Sequence, residues 1–159
     1  MAGTAWLVAF GEIEGLRWVL AHERMAFSPG LSRRAARIQP GDALVLYVTR
    51  GAFHNPTRDR SQIAGLASVK SPVTRLRRPV VIDGREFTSA CDLEIDVVLP
   101  ERQGLPVEPL VVNLSFVKRK EVWGGYFRSG LVQLPDRDFR TLSKALERLA
   151  GQQKRTSRA

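Results

Sequence analysis

Six apolar residues in a row, Ala5-Trp6-Leu7-Val8-Ala9-Phe10, stop at Gly11, and an apolar run of that length bounded by glycine reads as a buried strand. The period then changes. From Glu12 to Ala21 the apolar residues Ile13, Leu16, Val19 and Leu20 recur at helical spacing, and Glu12 and Glu14 fall at the positive end of the dipole, so the stretch predicts an amphipathic helix. Phe27-Ser28-Pro29-Gly30 reads as a turn, and residues 31–38 as one or two basic helical turns stopped by Pro40. Gln39-Pro40-Gly41-Asp42 predicts a tight turn feeding a central strand over residues 43–49. Residues 50–60 are a polar loop. Residues 62–69 form a third strand in which Gly65 predicts a bulge or a close backbone approach.

The second half alternates more clearly. Residues 72–79 read as a loop, after which Val80-Val81-Ile82 and Arg85-Glu86-Phe87 flank Asp83-Gly84, the pair that a type I′ hairpin turn prefers. Cys91, Leu93, Ile95 and Val97 alternate with Asp92, Glu94 and Asp96, which is the period of a strand with one wet face. A connecting loop over 100–109, a short apolar run Leu110-Val111-Val112 and an aromatic, glycine-rich segment over 123–130 lead to Leu131-Val132-Gln133-Leu134. Pro135-Asp136 then opens a helix whose Phe139, Leu142, Leu146 and Leu149 keep 3.6-residue spacing. Gly151 is expected to end it, leaving residues 152–159 as a disordered basic tail with Lys154, Arg155 and Arg158.

At 159 residues the chain suits one domain, 1–151, with that tail behind it. No apolar run is long enough to span a bilayer and Met1-Ala2-Gly3-Thr4 lacks a secretory pattern, so a cytoplasmic monomer is expected. One cysteine and two histidines leave no disulfide framework and little for a metal centre, and no cofactor is expected. Asp92, Glu94 and Asp96 share the wet face of a strand; a solvated face explains them better than a cation site.

Charge adds a direction. Lys and Arg number 25 against 16 Asp and Glu, and residues 24–85 alone hold twelve of the former against Asp42, Asp59 and Asp83, which is the whole surplus of nine. A polyphosphate partner would select such a surface, although a merely solvated basic face would look the same. Catalytic patterns are absent. There is no Gly-x-Ser-x-Gly elbow, no phosphate loop ending in Gly-Lys-Ser/Thr and no Gly-x-Gly-x-x-Gly turn, and Glu12 and Asp42 are the only acids that an enzyme reading could use.

Aromatic rings set among cations remain. Trp6, Phe10, Tyr47, Phe87 and Phe139 belong to the predicted core, whereas Phe27, Trp123, Tyr126 and Phe127 lie in glycine- or proline-containing turns, close to Lys118-Arg119-Lys120. An unstacked base needs aromatic faces for its ring and cations for its phosphates.

The order of segments resembles a known family. Trp6-Leu7-Val8, Phe27-Ser28, Ile38-Gln39-Pro40-Gly41-Asp42-Ala43-Leu44-Val45-Leu46-Tyr47 and Ile63-Ala64-Gly65-Leu66-Ala67-Ser68-Val69 resemble the EVE domain of the PUA-like superfamily. So do Asn113-Leu114-Ser115-Phe116-Val117, Trp123, Phe127-Arg128-Ser129-Gly130-Leu131 and Leu134-Pro135-Asp136-Arg137-Asp138-Phe139. The resemblance covers residues 5 to 149 and extends more distantly to YTH domains, which read methylated adenine in RNA. It implies an α+β fold, a PUA-like curved mixed β-barrel with flanking helices, and a pocket for a modified base, with no catalysis. One aromatic wall would come from Phe27, with Ser28 beside it, and polar contacts from Phe10, Gly11 and Glu12; the loop 72–79 offers no ring for a second wall, a role left to Trp123 and Phe127. Arg33, Arg34, Arg37, Lys118 and Arg128 would hold phosphates of RNA or DNA. A PUA-like RNA-binding module without a modified-base pocket is the second reading, and an enzyme on a small substrate the third.

Overall fold

A computed structural model describes residues 3–127 and 129–158 of the chain. Its strands are β1 (Ala5–Phe10), β2 (Arg24–Phe27), β3 (Ala43–Val48), β4 (Gln62–Val69), β5 (Thr74–Ile82), β6 (Arg85–Val98), β7 (Leu105–Pro106) and β8 (Leu131–Leu134). Helices α1 (Ile13–His22), α2 (Ser32–Ala35) and α3 (Asp136–Arg158) flank them, with 3₁₀ segments at Pro29–Leu31, Glu108–Asn113 and Lys120–Phe127, the last kinked at Val122. The strands run in the order β2-β6-β4-β3-β1-β8, with β5 on β6 and β7 on β4. Only β1 and β3 pair in parallel, because α1, β2 and α2 cross between them; the other pairs are antiparallel. The mixed sheet curls into a half-barrel with helices around it, in the α+β class expected.

Alternation along the central strands builds two cores. Trp6, Val8 and Phe10 of β1 and Leu44, Leu46 and Val48 of β3 pack with α1 and β2 on one face. Leu7, Val45 and Tyr47 point the other way, onto Leu142 and Leu146 of α3 and onto Phe127. Gly65 behaves as its spacing suggests: a Cβ there would overlap the Val97 carbonyl oxygen, and both neighbouring ladders shift register beside it. Asp83 (φ 48°) and Gly84 (φ 74°) form the predicted hairpin turn, both in the left-handed region.

Two buried aspartates tie distant segments together. Asp42, 4% exposed, accepts hydrogen bonds from Thr4 N (2.8 Å), Trp6 Nε1 (3.0 Å) and Gln39 N (2.9 Å), fixing the turn before β3 to the start of β1. Asp138 in the first turn of α3 accepts from Ser115 N (2.7 Å), Ser115 Oγ (3.0 Å) and Phe116 N (2.8 Å). With its oxygens so engaged, Asp42 is a structural group and not the acid that an enzyme reading needs.

Several expectations fail for identifiable reasons. Residues 74–79 are strand and not loop: β5 is an outer strand, and its register on β6 breaks between Arg75 and Val80, so Pro79 costs no ladder bond. Leu110-Val111-Val112 lies in a 3₁₀ turn. Gly151 does not stop α3, which continues to Arg158; one interior glycine costs about 1 kcal/mol, and Gln153 Nε2 donates to the Gln103 carbonyl (2.9 Å) beyond it. The segment expected to be disordered is therefore helical as far as Arg158.

The best-defined alternation holds. Cys91 is 1% exposed, and burial pushes its thiol pKa up to about 12, with Asp92 adding to the shift. On the opposite face Asp92 pairs with Arg24 (3.3 Å), Glu94 with Lys70 (3.1 Å), and Asp96 accepts from Ser68 Oγ (2.6 Å), so each acid has its own partner. Cys91→Ala is expected to cost about 1 kcal/mol, and a thiol reagent should label the native protein only as fast as it unfolds. Rapid labelling under native conditions would refute that burial.

Candidate functional site

The end of β1, the N-terminal half of α1, the end of β2 and the β5–β6 hairpin converge on a cleft of about 510 Å³, within the range of small-ligand sites. Phe10, Gly11 and Glu12 form one side, Trp18 and Val19 the helix side, Ser28, Gly30 and Leu31 the β2 side, and Ile82, Asp83, Arg85 and Phe87 the hairpin side. Phe127, Ser129 and Gly130 complete it. Four rings, Phe10, Trp18, Phe87 and Phe127, therefore line one cleft. Trp18 is half-buried and held in place by His22, whose imidazole stacks on it (centroids 4.5 Å apart) while His22 Nδ1–H donates to the Trp18 carbonyl (2.8 Å).

The polar groups suit hydrogen bonding more than ion pairing. Glu12 Oε2 is shielded from solvent and forms no hydrogen bond; it lies 3.1 Å from His54 Nε2. Ser28 Oγ has no hydrogen-bond partner among the described residues. The rim is fixed from outside the cleft. Ala9 N donates to the Gly130 carbonyl (2.9 Å), and the Arg34 guanidinium donates to the carbonyls of Leu131 (2.9 Å) and Ser129 (3.1 Å). Glu12, Glu14 and His54 also place one ligand atom each within 4.8 Å of one another, a spacing that would admit a small cation and that the Glu12–His54 pair already explains.

Of the residues expected at the site, the fold brings Phe10, Gly11, Glu12, Ser28 and Phe127 together. It leaves Phe27 out. Phe27 ends β2 opposite Ser89 of β6 and is 1% exposed inside the core, so its ring is a strand side chain and not a ring presented by the following turn. Trp123 is left out too: it lines a second cleft on the far side of Phe127, against which it packs edge-on at 5.7 Å.

Among the expected phosphate contacts, Arg34 is engaged by the rim carbonyls. Arg37 donates to Gln133 Oε1 (3.2 Å) and lies over the Trp6 ring, while Arg33 and Lys118 are exposed. Arg128 lies outside the described residues. Two rings of the cleft escaped sequence reasoning: Trp18, and Phe87, which was assigned to the core. Trp18 stands off the Ile13, Leu16, Val19 stripe of α1 while packing, partly buried, against the same core, and a large ring outside the buried stripe of an amphipathic helix was the available signal.

Comparison with solved structures places the fold. The chain superposes on the YTH domain of Mmi1, solved in complex with RNA, with a TM-score of 0.63 at 8% identity, covering 95% of this chain and 82% of that one. This is the YTH-like fold. The YTH domain of the Zygosaccharomyces rouxii MRB1 protein, solved in complex with N6-methyladenosine RNA, matches with a TM-score of 0.56 at 14% identity over 93% of this chain and 86% of that one. In sequence the chain is similar to the UPF0310 protein msl3206 of Mesorhizobium japonicum, 27% identical over 123 residues, 77% of this chain and 78% of that protein. No family model matches it. Two pairs of the motif segments noted above are joined by the buried aspartates: Trp6 to Asp42, and Ser115-Phe116 to Asp138.

Proposed function

We propose that this protein is an EVE-type, non-catalytic reader that binds nucleic acid by taking one base, a modified one, into the cleft between Trp18 and Phe87. The observation that carries this reading is the combination in one cleft of four rings, Phe10, Trp18, Phe87 and Phe127, with the Glu12 carboxylate on its wall. The rings suit the faces of a heterocycle, and the Glu12 carboxylate on the cleft wall suits an exocyclic amine on its edge. Trp18 takes the wall that the family resemblance gave to Phe27, Phe87 takes the second wall, and Ser28, expected beside the first wall, lines the same cleft. The fold shared with YTH domains that were solved with RNA supports the same partner class.

The hairpin explains how the backbone of that nucleic acid would be held. Arg75, Arg77, Arg78 and Arg85 are exposed on β5 and β6 and have no hydrogen-bond or ion-pair partner among the described residues, and Arg85 lines the cleft itself. This basic arm also suits the second reading, a module that grips structured RNA by shape.

Pentamers of RNA and DNA with adenine, N6-methyladenine, cytosine or 5-methylcytosine at the centre separate the readings by titration. A preference for one modified centre that disappears in Trp18→Ala is the expected result. Equal affinity for all centres would leave only the shape-reading module, and no binding would refute both. Affinity should also fall with salt on a log-log slope steeper than about −1, since several phosphates are neutralised; a shallower slope would remove the basic arm from the interface.

A further inference from the structure

Behind Phe127 lies a second, wider cleft of about 1130 Å³, between the loop that follows β3 and the 3₁₀ segments that precede β8. Thr49 and Phe127 line both clefts, so the two are neighbours across a shared wall. Trp123 is partly exposed in the second one, and its edge-on contact with Phe127, planes 84° apart, fixes its orientation. Gly124 and Gly125 follow it with open space where side chains would stand. Arg50 and Arg60 reach the same cleft, both exposed, and neither guanidinium has a hydrogen-bond or ion-pair partner among the described residues. Its acids are Glu108 and Glu121, and Glu121 is already neutralised by Arg119 at 3.1 Å, so positive charge prevails.

We propose that this second cleft is a stacking subsite for the nucleotide adjacent to the base held in the first, so that a single strand is gripped across Phe127 over at least two residues. The inference rests on the reading of the first cleft as a base site and adds to it the length and form of the partner. Trp123 supplies a ring of the kind on which any base stacks, whatever its sequence, and Arg50 and Arg60 supply cations for the phosphates on either side of that base. A duplex could not present two neighbouring residues to clefts on opposite sides of a ring without unstacking them, which makes single-stranded nucleic acid the occupant.

Calorimetric titration of a pentamer with the preferred centre, beside the free nucleoside of that centre, tests the proposal. The nucleoside reports the first cleft alone. The pentamer should bind at least tenfold more tightly than the nucleoside, and Arg50→Ala/Arg60→Ala and Trp123→Ala should each weaken the pentamer about tenfold while leaving nucleoside affinity unchanged. Because Trp123 packs on Phe127, Gly125→Leu provides a second route: its side chain enters open space without a protein clash, obstructs the cleft beside Trp123 and should lower pentamer affinity to the same degree at an unchanged melting temperature. Wild-type pentamer binding by Gly125→Leu and by the double arginine variant would overturn the subsite and leave the first cleft standing. Loss of nucleoside binding in these variants would overturn it as well, since the effect would then pass through Phe127. Failure of both probes to bind the wild-type protein would refute the base site, and this proposal with it.

Discussion

Phe27→Ala is expected to remove about 3–5 kcal/mol of stability, a large share of the roughly 5–15 kcal/mol that holds a domain folded. Trp18→Ala is expected to cost less stability than Phe27→Ala, because Trp18 is only partly buried against the same core, and to weaken base binding by about 1–3 kcal/mol, roughly five- to 150-fold. The two rings separate because of where their elements end. Phe27 is the last residue of β2 and is 1% exposed among Phe10, Met25 and other core side chains on the α1 face, so its deletion leaves a cavity that the two packed layers cannot close. Trp18 leans out of α1 into the cleft, and its removal takes away one wall, leaving behind a helix still anchored by Ile13, Leu16 and Val19. Denaturant midpoints and titration with the pentamers, run on both variants, read the two effects. If Phe27→Ala folds as firmly as the wild type and loses base preference, the cleft is wrongly placed and the turn after β2 holds the ring after all.

These two residues show how far the sequence carries. Strand β6 was legible because its period-2 alternation is unbroken over Cys91–Val97, and β1, β3 and β4 because short apolar runs ended at glycine, proline or polar clusters. At Phe27 the following Ser-Pro-Gly announced a turn, and the turn exists, but local punctuation cannot say on which side of it the strand ends. Strand β5 was hidden by Pro79 and by arginines that an outer strand with an irregular register tolerates. The far end of α3 was hidden by Gly151, whose local cost is outweighed once neighbouring turns are formed. Gly11, Glu12 and Ser28, which the family resemblance put forward, line the candidate cleft because they flank elements that the sequence does declare. Trp18 and Phe87 were missed because cleft formation depends on α1 and the β5–β6 hairpin meeting in space, 60 and more residues apart, which no local pattern encodes.

Asp138→Ala should be as destabilising as loss of a core ring, by about 3–5 kcal/mol. The carboxylate is fully buried and accepts three hydrogen bonds, two of them from backbone amides of Ser115 and Phe116, so truncation strands donors inside the protein; hydrogen bonds to a charged acceptor contribute about 1.5–3 kcal/mol each. The consequence reaches the clefts through a short chain of contacts. Phe116 packs edge-on against Phe127 (5.4 Å) and Tyr126 (6.3 Å), and Phe127 stacks on Tyr47 of β3 (4.8 Å), so the turn that Asp138 pins is what holds the wall common to both clefts. Asp138→Asn should fare little better, since its NH₂ would face N–H donors where a carboxylate oxygen now accepts. Amide exchange distinguishes this from general weakening: in conditions where the variant is still folded, the amides of Ser115 and Phe116 should exchange much faster than those of β3 and β4, and affinity for nucleoside and pentamer should fall together. Protection of those two amides at the wild-type level, with a stability loss below about 1 kcal/mol, would show that the turn is held by its apolar contacts, with Asp138 contributing little.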